Sequence, residues 1–320
     1  MKTWKPVLFL MATLIVGTVI FGCARRDQEP VEGQTRRIVV ADAKTTHHLN
    51  LYVAKEKGFL AERGIEVEII SVQDLAAARD LLVTGQADVY WSCPTAVIAA
   101  IANGAPIRIV SQVKAPCTSV LVVAQDSPIL ELADLKDRRI AGISPTCEAV
   151  ITYSKVAREA DSDFFLEKLA GGPAIAALDA RAVDGAILEE PHASIAELKG
   201  YRFVMPELAA SIPCRTINVR TGYLNQNLDT VKALLEAVEE ANALILEDPA
   251  ADEIVEIAYQ YTGAPKDAIR HGNHRLLFQT ELLVDGLSAL ADDLVDNGDI
   301  RENPGTRIYA EQFRGITWDL

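Results

Sequence analysis

Along this chain, short apolar runs alternate with segments whose apolar residues recur at helical spacing. Residues 37–41 (RIVVA) are the first such run and predict a strand. In 47–57 (HHLNLYVAKEK), Leu49, Tyr52 and Val53 share one helical face, and Gly58 closes the helix. A strand at 67–70, a helix at 74–84 ending at Gly85, and a strand at 88–91 follow. A helix at 94–102 ending at Asn103-Gly104 and a strand at 107–113 complete this series. A second series starts with a strand at 119–123. It continues with a turn and strand within 135–143, a helix at about 146–158, a short segment at 164–168, a helix at 173–181 and a strand at 183–188. From about Cys214 the pattern is helical to the end, with 228–246, 251–261 and 281–297 as the main amphipathic segments. Strands alternating with helices predict βαβ units and parallel sheet, hence an α/β fold. Two such series, followed by helical closing segments, suit two lobes.

Composition narrows the function classes. Of 320 residues, 49% are apolar and 24% charged, which is globular composition. A formal charge of −14 with no basic stripe argues against nucleic acid as a partner. The first 23 residues carry more information. Lys2 and Lys5 precede an apolar run from Val7 to Phe21 that ends in Gly22-Cys23. The run is short for a membrane span and resembles a bacterial lipoprotein signal, with residues 20–23 (IFGC) in the lipobox position. On that reading 1–23 is a signal peptide, Cys23 is lipidated, and polar residues 24–36 form a flexible linker. The alternative is an uncleaved N-terminal anchor. Both place the bulk outside the cytoplasm, at the periplasm or cell surface, tethered to a membrane.

Several segments together match a known family. Residues 52–59 (YVAKEKGF) followed by 64–67 (GIEV) resemble the opening of the sulfonate, nitrate and thiamine-precursor group of ABC importer binding proteins. Residues 85–88 (GQAD), 103–110 (NGAPIRIV), 126–129 (DSPI), 132–136 (LADLK) and 180–191 (ARAVDGAILEEP) agree in order. Arg181-Ala182 stands where the family has Gly-Gln. The resemblance spans about 37–300 and is specific only as an ensemble. It implies a type II periplasmic-binding-protein fold, two α/β lobes joined by two crossover strands near Cys117 and near Pro213-Cys214. It places lobe one at 37–116 plus 214–320 and lobe two at 117–213. It further implies a small-molecule ligand held in the cleft by hinge closure, with ABC permease and ATPase subunits as partners.

On that scaffold, the chemistry-bearing residues gather at the cleft. His47 and His48 follow the first strand, and Trp91, Ser92 and Cys93 follow the third. Cys117 sits at one crossing and Cys214 at the other. Thr146 and Cys147 open a helix of lobe two, and Glu189, Glu190 and His192 follow its strand at 183–188. With Cys23 lipidated, four cysteines remain: Cys93, Cys117, Cys147 and Cys214. Three readings of them stay open. They bind a soft or borderline metal, a metal chelate or an Fe–S-type group; they form two disulfides; or they are small buried hydrophobes. Trp91 either stacks on a planar ligand or packs between lobes, and His47 and His48 either touch ligand or cap the following helix. Glu190 is expected from the family as an orienting cleft residue. His271, His274 and the acidic run at 292–299 read as solvated surface. Among cleft cations only Lys44, Lys114 and Arg215 stand out, which points away from simple oxyanions. The competing classes are an enzyme resembling the thiamine-pyrimidine synthases, whose cluster of adjacent cysteines is missing here, and a membrane-tethered sensor. No Walker, Gly-x-Ser-x-Gly or His-Glu-x-x-His motif occurs.

Overall fold

The computed structural model describes Met1 and residues 35–72, 75–114, 116–209 and 212–316. The signal segment, Cys23 and nearly all of the linker lie outside the described residues. Thr35–Leu320 is one compact unit. Among the described residues, no helix is long and apolar enough to cross a membrane.

Among the described residues, ten strands form two five-stranded sheets. The first contains β1 (Arg36–Asp42), β2 (Ile65–Ser71), β3 (Val89–Ser92) and β4 (Ile107–Lys114). The second contains β5 (Val120–Val123), β6 (Arg139–Gly142), β7 (Phe165–Lys168), β8 (Gly185–Leu188) and β9 (Arg202–Val204). The tenth, β10 (Cys214–Arg220), returns to the first sheet. The orders are β2-β1-β3-β10-β4 and β7-β6-β8-β5-β9, so the two sheets repeat one plan.

The helices between them are α1 (Leu49–Glu56), α2 (Phe59–Glu62), α3 (Leu75–Thr84), α4 (Pro94–Ala102), α5 (Glu148–Glu159), α6 (Gly171–Asp179) and α7 (His192–Leu198). After β10 come α8 (Thr221–Gln226), α9 (Leu228–Glu247), α10 (Asp252–Thr262), α11 (Lys266–Gly272) and α12 (Val284–Asp296).

Two features depart from the expectation of parallel sheets and a purely helical tail. Each sheet holds one strand antiparallel to its neighbours: β10 against β3 and β4, and β5 against β8 and β9. The physical reason is the crossing. The leading strands of each sheet, β1 and β3 or β6 and β8, run parallel and end at the cleft. A chain arriving from the other lobe enters at that same end, so it runs the opposite way. The second departure is β10 itself. The helical pattern from Cys214 onward gives no sign of it, yet six of its seven residues are buried in the middle of the sheet. The edge strand β9 is a further element absent from the sequence reading.

Packing explains why the long helices sit where they do. The faces of α1, α9 and α10 bury Leu49, Tyr52, Leu234, Val238 and Ile254 against Ile38, Val40 and Val89 of the first sheet. Apolar area of this kind contributes about 25 cal/mol per Å² and dominates the stability of each lobe. In the second lobe α6 and α7 cover Val120, Val122 and Leu188.

Candidate functional site

A cavity of about 850 Å³ opens between the strand ends of the two lobes. One wall is the loop after β1 (Lys44, Thr45, His48) with Trp91 and Ser92 of β3. The facing wall consists of the segments leading into α5, α6 and α7: Ser144, Thr146 and Cys147, then Gly171-Gly172, then Glu189 and His192. Helix starts facing a cavity present backbone N–H groups to whatever enters it. The α10–α11 turn closes one side at Gly263 and Ala264.

On the first wall a buried network begins at Asp42, the last residue of β1. Its Oδ1 lies 2.6 Å from His48 Nδ1, and its Oδ2 accepts from the Tyr52 hydroxyl at 2.7 Å and the Lys44 amide at 3.0 Å. Burial alone raises a carboxyl pKa, but the His48 and Tyr52 hydrogen bonds and the His48 charge outweigh it and hold Asp42 below its usual value. Tyr52 in turn stacks on Tyr261, with ring centroids 4.2 Å apart. The network fixes His48 so that it lines the cavity, and its Nε2 has no hydrogen-bond partner among the described residues. The Trp91 Nε1 is likewise buried without a partner. Buried polar groups are ordinarily satisfied, so these two ring nitrogens stand out on residues of the cavity wall.

Between the lobes, Glu189 is the common partner. It pairs with the buried Arg215 guanidinium, accepts weakly from Thr45 Oγ1 at 3.4 Å, and lies 3.8 Å from His47 Nδ1. Arg215 also donates to Cys93 Sγ. His47 is fully buried, and burial, followed by the nearby Lys114 and Arg215 charges, pushes its pKa well below the ordinary value, so it is neutral. A second interlobe contact runs from Thr95 Oγ1 to the Thr146 carbonyl at 2.5 Å.

The sequence candidates therefore divide into two groups. His48, Trp91, Ser92, Thr146, Cys147 and His192 line the cavity. His47, Cys93, Cys117, Glu190 and Cys214 lie behind its surface. Glu190 is 1% exposed and orients α7 from within, accepting from the Ser194 amide at 3.1 Å and pairing with Arg275. His192 is half-buried, with a pKa lowered by burial against the raising influence of Glu189 and Glu190. His271 lies at the surface, its side chain 43% exposed, with Nε2 2.8 Å from Glu197 Oε2.

The four thiols, free in the structure, form two pairs. Cys93 Sγ lies within 4.8 Å of Cys147 Sγ, and Cys117 Sγ within the same distance of Cys214 Sγ. The Cys147 contact and burial push Cys93 up, burial and the Cys117 contact push Cys214 up, and the Cys214 hydrogen bond holds Cys117 down. Sequence reasoning missed the residue between the pairs, Glu148. Its position directly after Cys147, at a helix start, was the available signal. Asp42 was missed as well, since a strand-end carboxylate is common without special meaning. The cavity cations also differ from those singled out. Lys114 is buried away from the cavity on the Pro116 carbonyl and Thr118 Oγ1, while Arg79 and Lys168 join Lys44 and Arg215 at its wall.

Residues 45–252 match the family described as NMT1/THI5 like. The chain belongs to the NMT1/THI5-like family. This member shares its fold with periplasmic binding proteins. The alkanesulfonate-binding protein SsuA of Xanthomonas axonopodis pv. citri superposes with a TM-score of 0.75 at 18% identity, over 86% of this chain and 99% of that one. The periplasmic nitrate-binding protein NrtA of Synechocystis PCC 6803 gives 0.72 at 16% identity, over 88% and 87%. In sequence, 97 residues are 31% identical to the 4-amino-5-hydroxymethyl-2-methylpyrimidine phosphate synthase of Uromyces fabae. That stretch covers 30% of this chain and 28% of the synthase. The two-lobed type II periplasmic-binding-protein fold is thus common to this family member and to the alkanesulfonate-binding and nitrate-binding proteins.

Proposed function

We propose that this chain is the extracytoplasmic solute-binding component of an ABC importer, anchored by a lipid on Cys23. It captures a small ligand between lobe one (37–116 plus 214–320) and lobe two (117–213) and presents the closed form to a permease and its ATPase. The observation that carries this reading is the cavity walled by both lobes, with His48 and Trp91 on one wall and three helix starts on the other. A pocket of this size suits a small organic molecule. Hinge closure around ligand is the established use of paired α/β lobes.

The ligand class follows from the charges. Two of the cavity cations are already committed, Arg215 to Glu189 and Arg79 to Asp80. A planar, weakly charged solute that stacks on Trp91 and hydrogen-bonds to His48 fits better than a compact oxyanion, and a thiol-coordinated one would reach Cys147. Supporting the importer reading are the fold and the lipoprotein-like leader.

The test is a thermal-shift screen of aromatic and heterocyclic solutes, pyrimidines included, against sulfonates and nitrate, followed by small-angle scattering of any hit. The expected result is one saturable ligand that compacts the protein and is recovered unchanged. The similarity to a pyrimidine phosphate synthase favours one competing reading, an enzyme. Recovery of a converted product in that experiment would establish it and defeat ours.

A further inference from the structure

Five buried side chains from four separate segments converge behind the cavity. Cys93 precedes α4, Cys147 and Glu148 open α5, Cys117 lies at the first crossing, and Cys214 begins β10. The donor atoms of Cys93, Cys147 and Glu148 all lie within 4.8 Å of one another, and so do those of Cys117, Cys214 and Glu148. One carboxylate therefore belongs to both groups. It is 1% exposed, and its Oε2 has no hydrogen-bond partner among the described residues.

We propose that Cys93, Cys117, Cys147, Cys214 and Glu148 form a binding site for a soft or borderline divalent cation of the Zn2+ class, with Glu148 shared between two thiol pairs. Thiolate sulfur with one carboxylate oxygen is a donor set suited to such ions. The carboxylate separates this assignment from its competitors. Two disulfides, or four thiols acting as plain hydrophobes, account for the sulfurs and leave Glu148 with a stranded buried oxygen. Cations on the two triads, which share Glu148, satisfy all five groups. Buried Lys114, which pairs with Cys214 across the sheet, and Arg215, which donates to Cys93, offset part of the charge of ionised thiols.

The ligands come from both lobes and both crossings, so a bound ion ties the closed arrangement together. Only Cys147 also lines the solute cavity. The site goes beyond the importer reading and does not depend on which solute the cavity takes.

The experiment uses the full chain purified under anoxic, reducing conditions, stripped with a chelator and titrated with Co2+ alone. A saturable thiolate-to-cobalt charge-transfer absorption at one or two ions per chain, displaced by Zn2+, is expected. Cys147→Ser and Glu148→Gln are the test variants. Serine is well accepted ahead of a helix and glutamine matches glutamate in shape, so both should fold, checked by circular dichroism. Losing even an outer-shell partner weakens a metal site about 10–100-fold, so each variant should bind Co2+ at least about tenfold more weakly. The proposal is overturned by an absent absorption band, by a band unchanged in both variants, or by mass spectrometry showing two disulfides and no retained ion in the anoxic protein.

Discussion

Arg275 donates from Nη1 to Glu190 Oε1 at 2.6 Å, joining the segment after α11 to the base of α7. The Glu190 side chain is almost wholly buried, whereas the Arg275 side chain is 29% exposed. Removing one partner of a buried pair costs about 3–5 kcal/mol, and the partial exposure of Arg275 reduces that. Glu190→Ala is therefore expected to lower the unfolding free energy by about 2–3 kcal/mol in urea titration. An effect below about 0.5 kcal/mol would show the pair to be incidental.

Backbone closeness at the same place gives an independent prediction. A Cβ on Gly272 would lie 2.5 Å from Glu190 Oε2 and 2.7 Å from Ser194 Oγ. Gly272→Ala should cost about 1–3 kcal/mol through overpacking. Combining it with Glu190→Ala should cost less than the sum, because the truncation removes the atom that collides.

His47 sets a pH dependence whose sign follows from its lowered pKa. The folded chain resists protonating His47, while the unfolded chain takes up the proton as pH falls through the ordinary value of 6.5. Stability is thus fully present above that value and falls as pH drops below it, towards the folded pKa. His192, also lowered, adds in the same direction. Thermal unfolding from pH 7.5 to 5 should show the decline, and His47→Gln should flatten part of it.

Asp42 acts in a lower window. Its folded pKa lies below 3.8, so its contribution is present above that value and is lost as pH falls through the folded pKa. Asp42→Asn should cost about 1–3 kcal/mol at neutral pH, since the His48 and Tyr52 contacts lose a charged acceptor. The gap between variant and parent should narrow progressively in unfolding measured as pH falls below 3.8.

Trp91 tests the ligand site. Trp91→Phe keeps an aromatic ring and removes the unpartnered Nε1–H. Losing one neutral hydrogen bond to a ligand costs about 1 kcal/mol, or roughly fivefold in Kd. Calorimetry with the solute found by the screen should show that loss, while stability without solute changes by less than about 1.5 kcal/mol. Unchanged affinity would place the solute away from this wall.

What could be read along the chain was whatever local chemistry dictates. The apolar run RIVVA and the helical spacing of Leu49, Tyr52 and Val53 specify β1 and α1, because a short continuous apolar run suits a buried strand and an i, i+3, i+4 spacing gathers apolar side chains on one helical face. The ordered family segments likewise led to the two-lobed fold and to a cleft near His48, Trp91, Thr146 and His192. Tertiary structure alone decided the direction of β5 and β10, since a strand's orientation depends on the end from which the chain enters the sheet. It alone separated His48, at the cavity wall, from its neighbour His47, buried behind it. It also chose which thiols meet. Cys93 and Cys147 are 54 positions apart, and Cys117 and Cys214 are 97 apart. No local period carries such distances, and only the packing of α4, α5 and β10 brings both pairs onto Glu148.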